Sequence, residues 1–287
     1  MPGTWTVVRC RVCGLAFTNP RPRGEGIFAY YPESYGCYLP PTAASARPKG
    51  LRGLLKAAKG HVRRQMLRQH FGYFPDEVGR SAVWAALTIP LRNRDRVKLT
   101  PRFPRSSPGP KLLEIGCGVG GYLLSMKTIG WNVVGVEPSE AAAEIARQQG
   151  LDVRTGTLEQ ARFAPGEFEA ITLNMVLEHV PSPRKALKLL GGWLNPGGEL
   201  LIAVPDFNGF EARTFGKYHY GPQVPTHLHH FTPATLRKLL VGFRLEVRHQ
   251  YFHRDLKAEL EFYLEDHPES RWRILLKLPR RAFAAAA

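Results

Sequence analysis

Acidic residues are scarce in this 287-residue chain, where 24 Asp and Glu stand against 40 Lys and Arg for a formal charge of +16. That balance favours polyanions, anionic substrates or an anionic membrane face, with a merely solvated basic surface as the plain alternative. Long apolar runs are also lacking. The longest uncharged apolar stretch, Ser81 to Leu91, falls well short of the ~18 residues that suggest a membrane span. No N-terminal segment reads as a signal peptide. Four cysteines at irregular spacing point away from a disulfide framework and toward a reducing compartment, so the expected location is cytoplasmic. Internal repeats are absent. The chain does hold 44% hydrophobic residues, enough for a sizeable core, and its length allows about two domains.

The sequence is organised around Lys111 to Met126, KLLEIGCGVGGYLLSM. An apolar run stops at a glycine cluster and helix-compatible residues resume, so the stretch reads strand, tight turn, helix. Gly116, Gly118 and Gly120 supply positions where the backbone can take positive φ and approach a ligand, near the N–H groups of a helix start. Gly116, Gly118 and Gly121 also fit G-x-G-x-x-G, and Glu137 ends the next apolar strand about 20 residues on, as a dinucleotide site requires. On spacing alone, NAD and a different nucleoside ligand stand level. Glu114 tips the balance, because a carboxylate beside the first glycine repels a pyrophosphate and suits a sulfonium or ammonium charge.

LLEIGCGVG, VVGVEPS, FEAITLNMVLEHVPSP and LNPGGELLIAVPD resemble, in order and spacing, the successive motifs of the class I S-adenosylmethionine-dependent methyltransferases. The resemblance covers Lys111 to about Arg248. It implies an α/β, Rossmann-like, doubly wound and mostly parallel seven-stranded sheet, with Arg244 to Phe252 as a final antiparallel strand. It also implies S-adenosylmethionine as cofactor. Glu114 and the backbone of Gly116, Cys117, Gly118 and Gly120 would hold the methionine part. Glu137 would accept the ribose hydroxyls, with Pro138 beside it. Thr157 and Leu158 would lie at the adenine, and Asn174 would face the crevice. Glu178 and His179 would open the helix after the fourth strand, with His179 able to take a proton from the methyl acceptor, since an unperturbed histidine pKa is about 6.5.

LEHVPSP is also similar to ubiquinone-pathway O-methyltransferases, in which two glutamates and the histidine can bind a divalent ion. Met175 stands where the first glutamate belongs. YGPQVPTHLHHFTPATL carries His227, His229 and His230, and its Pro225, His227, His230 and Phe231 resemble the PxHxxHF stretch of a zinc-ribbon-preceded bacterial subgroup. His227 and His230 are further candidates for contact with the acceptor. H-x-H-H without carboxylate or thiolate company argues against a metal there, and no metal is expected. Base methylation of nucleic acid is disfavoured, because no NPPY-like motif follows the fourth strand.

Ahead of this domain, residues 1–40 carry Cys10 and Cys13 in the C-x-x-C form of a zinc knuckle, which supplies half of a tetrahedral site. Cys37 is a candidate third ligand. Residues 41–110 read as a basic helical extension and linker, with helices at about Leu51 to His70 and Glu77 to Leu91. The first is amphipathic and basic, suited either to lie over the core or to touch an anionic membrane. Residues 111–252 form the cofactor-binding domain, and residues 253–287 a helix and basic tail. The function expected is methyl transfer to a hydroxyl or amine of a small or carbohydrate-like acceptor. A basic nucleic-acid or membrane module on the same fold, or an NAD-dependent oxidoreductase, are the alternatives.

Overall fold

The computed structural model describes residues 4–22, 24–31, 50–74, 81–92, 99–104, 109–216 and 222–243. The chain begins with an antiparallel hairpin, β1 (Thr6–Arg9) and β2 (Ala16–Asn19), followed by a 3-10 helix (Gly24–Tyr30). Helices α1 (Gly50–Phe71) and α2 (Ala82–Arg92) come next. From there strands and helices alternate: β3 (Lys111–Ile115), α3 (Gly121–Lys127), β4 (Asn132–Glu137), α4 (Glu140–Gln148), β5 (Asp152–Thr155), β6 (Phe168–Asn174), α5 (Pro183–Trp193) and β7 (Leu194–Ala203). A short helix α6 (Phe210–Phe215), a two-residue strand β8 (His229–His230) and α7 (Pro233–Val241) complete the described elements.

β3 to β7 form one parallel sheet in the order β5-β4-β3-β6-β7. Leu112, Leu113 and Ile115 are buried in succession, because helices cover both faces of a parallel sheet and its strands therefore run apolar without alternation. On one face Leu112 joins Leu123, Trp131 and Ala146; on the other Leu113 and Ile115 join Leu173, Leu187 and Phe231. Each such buried side chain contributes roughly 1.5–3 kcal/mol. The strand order reverses at β3, so the ligand crevice lies outside the carboxyl ends of β3 and its neighbours.

The expected Rossmann-like α/β architecture is therefore present, with five parallel strands among the described residues. The final antiparallel strand at 244–252, the helix and tail at 253–287, and Cys37 lie outside the described residues. The helix after β6 differs from expectation. Leu177 to His179 form a turn, and α5 begins only at Pro183, with Ser182 in extended conformation at its N-cap. Pro181 steers Val180 away from helical backbone, and Pro183 fits the first helical position. Glu178 and His179 thus sit on a loop.

The helical extension is tied to the sheet. Met66, Leu67 and Tyr73 are buried in the same cluster as Leu112 and Trp131, and the Tyr73 hydroxyl accepts from Trp131 Nε1 and donates to Pro101 O, both at 2.8 Å. Leu54, on the same apolar stripe of α1, is 70% exposed. α2 begins at Ala82 and runs past Pro90 to Arg92.

Candidate active site

The glycine corner follows β3. Gly116, Gly118 and Gly120 have φ of 69°, 51° and 84°, a left-handed conformation that glycine alone adopts freely. At Gly120 a Cβ would lie 2.3 Å from Leu151 Cδ1, so packing as well as φ demands glycine there. Glu137, at the end of β4, reaches back to this corner. Its Oε2 accepts from Gly118 N–H at 2.8 Å and its Oε1 from Ser139 N–H at 2.9 Å. Ser139 in turn caps α4 by accepting from Ala142 N–H. Burial raises the Glu137 pKa, against the pull of those two donors.

Glu114 is 4% exposed, and its Oε2 has no hydrogen-bond partner. Burial, and then the charge of Glu137, push its pKa well up. Two desolvated carboxylates, one with an unpartnered oxygen, suit a ligand that brings positive charge and hydroxyl donors, as S-adenosylmethionine does. Cys117 is buried between them and its thiol is pushed far up, chiefly by desolvation. Pro138 follows Glu137 and is half-buried; Thr157 and Leu158 follow β5, with Leu158 inside the core cluster of Leu113 and Ile115. Asn174 ends β6 and is exposed. All of these stand at the carboxyl ends of adjacent strands.

A second group lies on the loop after β6. Met175 has φ 57°, which in a residue other than glycine costs about 1–3 kcal/mol and often marks a functional loop. Glu178 is 1% exposed with both carboxylate oxygens unpartnered, and burial pushes its pKa up to about 8. The His179 Nδ1 lies 2.9 Å from Thr226 O and 2.8 Å from the Tyr31 hydroxyl. Burial holds the His179 pKa below its ordinary value, the Thr226 contact opposing. The rings of His179 and His227 meet edge to face at 4.6 Å.

Glu178, His179 and His227 offer ligand atoms within 4.8 Å of one another, an arrangement able to hold a cation. The expectation that these histidines lack carboxylate company is thereby corrected. That holds for His227 of the H-x-H-H run: Glu178 is remote from it in sequence, and the fold brings the two together. His230 is placed differently: its Nε2 is 3.0 Å from Thr18 Oγ1 and its ring lies 4.9 Å from Phe207. His229 is buried, which pushes its pKa down to about 4. Tyr31, Thr18 and Thr226 are contacts that sequence reasoning missed. The aromatic run FAYYPESY holds Tyr31, but nothing local links it to a histidine 148 positions on.

Cys10 and Cys13 are free thiols on the turn between β1 and β2. Backbone N–H groups of Cys13 and Val12 hold the Cys10 thiol below its ordinary range. No third histidine, cysteine or carboxylate joins them among the described residues.

Residues 89–250 match the family described as methyltransferase domain. The chain belongs to that family. The domain is of the S-adenosylmethionine-dependent class, and the match decides between the two ligands that the glycine pattern leaves level. Over 107 residues it is 36% identical to a ubiquinone biosynthesis O-methyltransferase of Pseudomonas aeruginosa, covering 35% of this chain and 46% of the relative. To the enzyme of that name from Xanthomonas campestris it is 29% identical over 133 residues, covering 43% and 56%. The chain thus spans about half the length of the curated relatives it matches. A solved structure of a methyltransferase from Thermotoga maritima, described as a possible histamine N-methyltransferase, aligns at 30% identity with a TM-score of 0.42, covering 49% of this chain and 66% of that one. No helix among the described residues is long and apolar enough to cross a membrane.

Proposed function

We propose that this methyltransferase methylates a hydroxyl of a small molecule, with His179 as the base. Glu114, Glu137 and the backbone at Gly116 to Gly120 hold the cofactor in this reading. S-adenosylmethionine, when bound, supplies a methyl carbon already activated by its sulfonium. The chain's task is then to position the acceptor and remove its proton.

One observation carries the reading. A carbonyl oxygen can only accept, so the 2.9 Å contact to Thr226 O assigns the proton on His179 to Nδ1 and leaves Nε2 as a bare lone pair. Burial keeps that ring neutral near pH 7, the form a base requires. As the oxygen–methyl bond forms, Nε2 takes the hydroxyl proton. The O-methyltransferase relatives favour oxygen over an amine as the atom methylated. Carbohydrate-like acceptors share that hydroxyl chemistry and stay within the proposal.

Calorimetry with S-adenosylhomocysteine and with NAD tests the cofactor half, and transfer of a labelled methyl group into a cell extract tests the acceptor half. Saturable binding of the first ligand alone, with a labelled ether as product, is expected. Label found only on nitrogen, or on nucleic acid, would sink the reading.

A further inference from the structure

We infer that the N-terminal hairpin and the segment after it form part of the acceptor site, with Tyr31 as the positioning residue for His179. This segment lies outside the 89–250 stretch that matches the methyltransferase family, yet it is built into the loops that carry the second group. β2 pairs antiparallel with β8, Ala16 opposite His230 and Phe17 opposite His229. Thr18 N–H donates to Leu228 O at 3.1 Å, and Thr18 Oγ1 donates to His227 O at 2.7 Å. Arg21 donates to Pro181 O at 3.3 Å. The clamped strand then holds the loop after β6, since Leu228 and His229 N–H both donate to Glu178 O, at 2.8 and 3.0 Å.

Tyr31 completes this arrangement. Its hydroxyl is 2.8 Å from His179 Nδ1 and its ring lies 5.7 Å from the imidazole. Because Nδ1 carries the proton that Thr226 O accepts, the Tyr31 oxygen accepts a share of the same N–H. Two acceptors on one donor fix the ring plane and hold the tautomer in which Nε2 is unprotonated. The family's matched stretch alone therefore lacks one of the two groups that orient the base.

The inference rests on the reading of His179 as base, and the test keeps the two apart. The full chain is labelled with 15N-histidine, saturated with S-adenosylhomocysteine and observed by NMR. In the wild type His179 should show the Nδ1–H tautomer with a slowly exchanging proton. Tyr31→Phe, which keeps the ring, should speed that exchange by about tenfold, leave the His230 signal in place and hold S-adenosylhomocysteine affinity within about twofold. An Nε2–H tautomer in the wild type, or unchanged exchange in Tyr31→Phe, would overturn the role of Tyr31. Should Tyr31→Phe lose ligand binding altogether, proton contacts between the Tyr31 and His179 rings in the wild type decide: present they support the inference, absent they end it. Unchanged exchange beside a turnover-dead His179→Ala removes Tyr31 and keeps the base; an active His179→Ala removes the base whatever the NMR shows.

Discussion

Glu137 makes two backbone hydrogen bonds and, on the proposed reading, two more to the ribose. Glu137→Ala should weaken S-adenosylhomocysteine binding by roughly 10- to 100-fold, since hydrogen bonds to a charged group are worth about 1.5–3 kcal/mol. Calorimetry reads it directly. His179→Ala should behave oppositely, cutting turnover by roughly 10² to 10⁴ with cofactor affinity kept, because a base contributes in the transition state and a ribose contact contributes throughout. Glu114 gives a pH signature. Its carboxyl is held well above the ordinary range, so it ionises late and prefers a cationic ligand once it does. The affinity ratio of S-adenosylmethionine to S-adenosylhomocysteine, which lacks the sulfonium charge, should rise with pH, and in Glu114→Gln the ratio should stay flat.

Among the elements, β4 shows how closely the glycine corner depends on packing behind it. A Cβ on Gly135 would lie 2.6 Å from Cys117 Sγ and 2.9 Å from Leu123 Cδ1. Gly135→Ala should therefore destabilise by about 1–3 kcal/mol, seen as a lower thermal midpoint, and should displace Cys117 between Gly116 and Gly118. A normal midpoint with normal cofactor affinity would show that the corner yields without strain. The strands β3, β4 and β6 were legible in the sequence because each is a short apolar run bounded by turn residues, whereas β5, DVRT, was legible only from its place in the strand–helix alternation. The helix after β6 was misplaced because LEHV is helix-compatible and only the two prolines, acting on their neighbours, delay the helix to Pro183. Thr232 and Pro233 open α7, where Thr232 and Thr235 form a capping box.

For the whole molecule, the buried Glu178 links stability to pH. Its folded pKa of about 8 stands above the ordinary 4.5, so the neutral carboxyl is favoured in the fold. The stability this gives is fully present below about pH 4.5 and is lost as pH rises through 8, amounting to on the order of 5 kcal/mol. Glu178→Gln keeps the shape without the charge. Measured with a chelator present, its thermal midpoint relative to wild type should climb between pH 5 and 9, whereas parallel curves would mean that Glu178 is solvated or paired. The +16 charge contributes to solubility and to long-range attraction of anions at this scale, and it does not choose the acceptor.

The sequence by itself determined the parallel sheet, the glycine corner and the carboxylates Glu114 and Glu137. These depend on spacing within one strand, turn and helix, where backbone conformation and the next strand's end are fixed by neighbours in the chain. Tertiary structure alone decided the second group. Glu178 meets His227 where Leu228 and His229 N–H donate to Glu178 O, and Tyr31 meets His179 where β2 pairs with β8 and so joins the chain's beginning to a segment some 200 residues on. No local pattern encodes that pairing, since a two-residue strand has too few side chains to specify a partner. Its partner is selected by what the rest of the fold has already brought near.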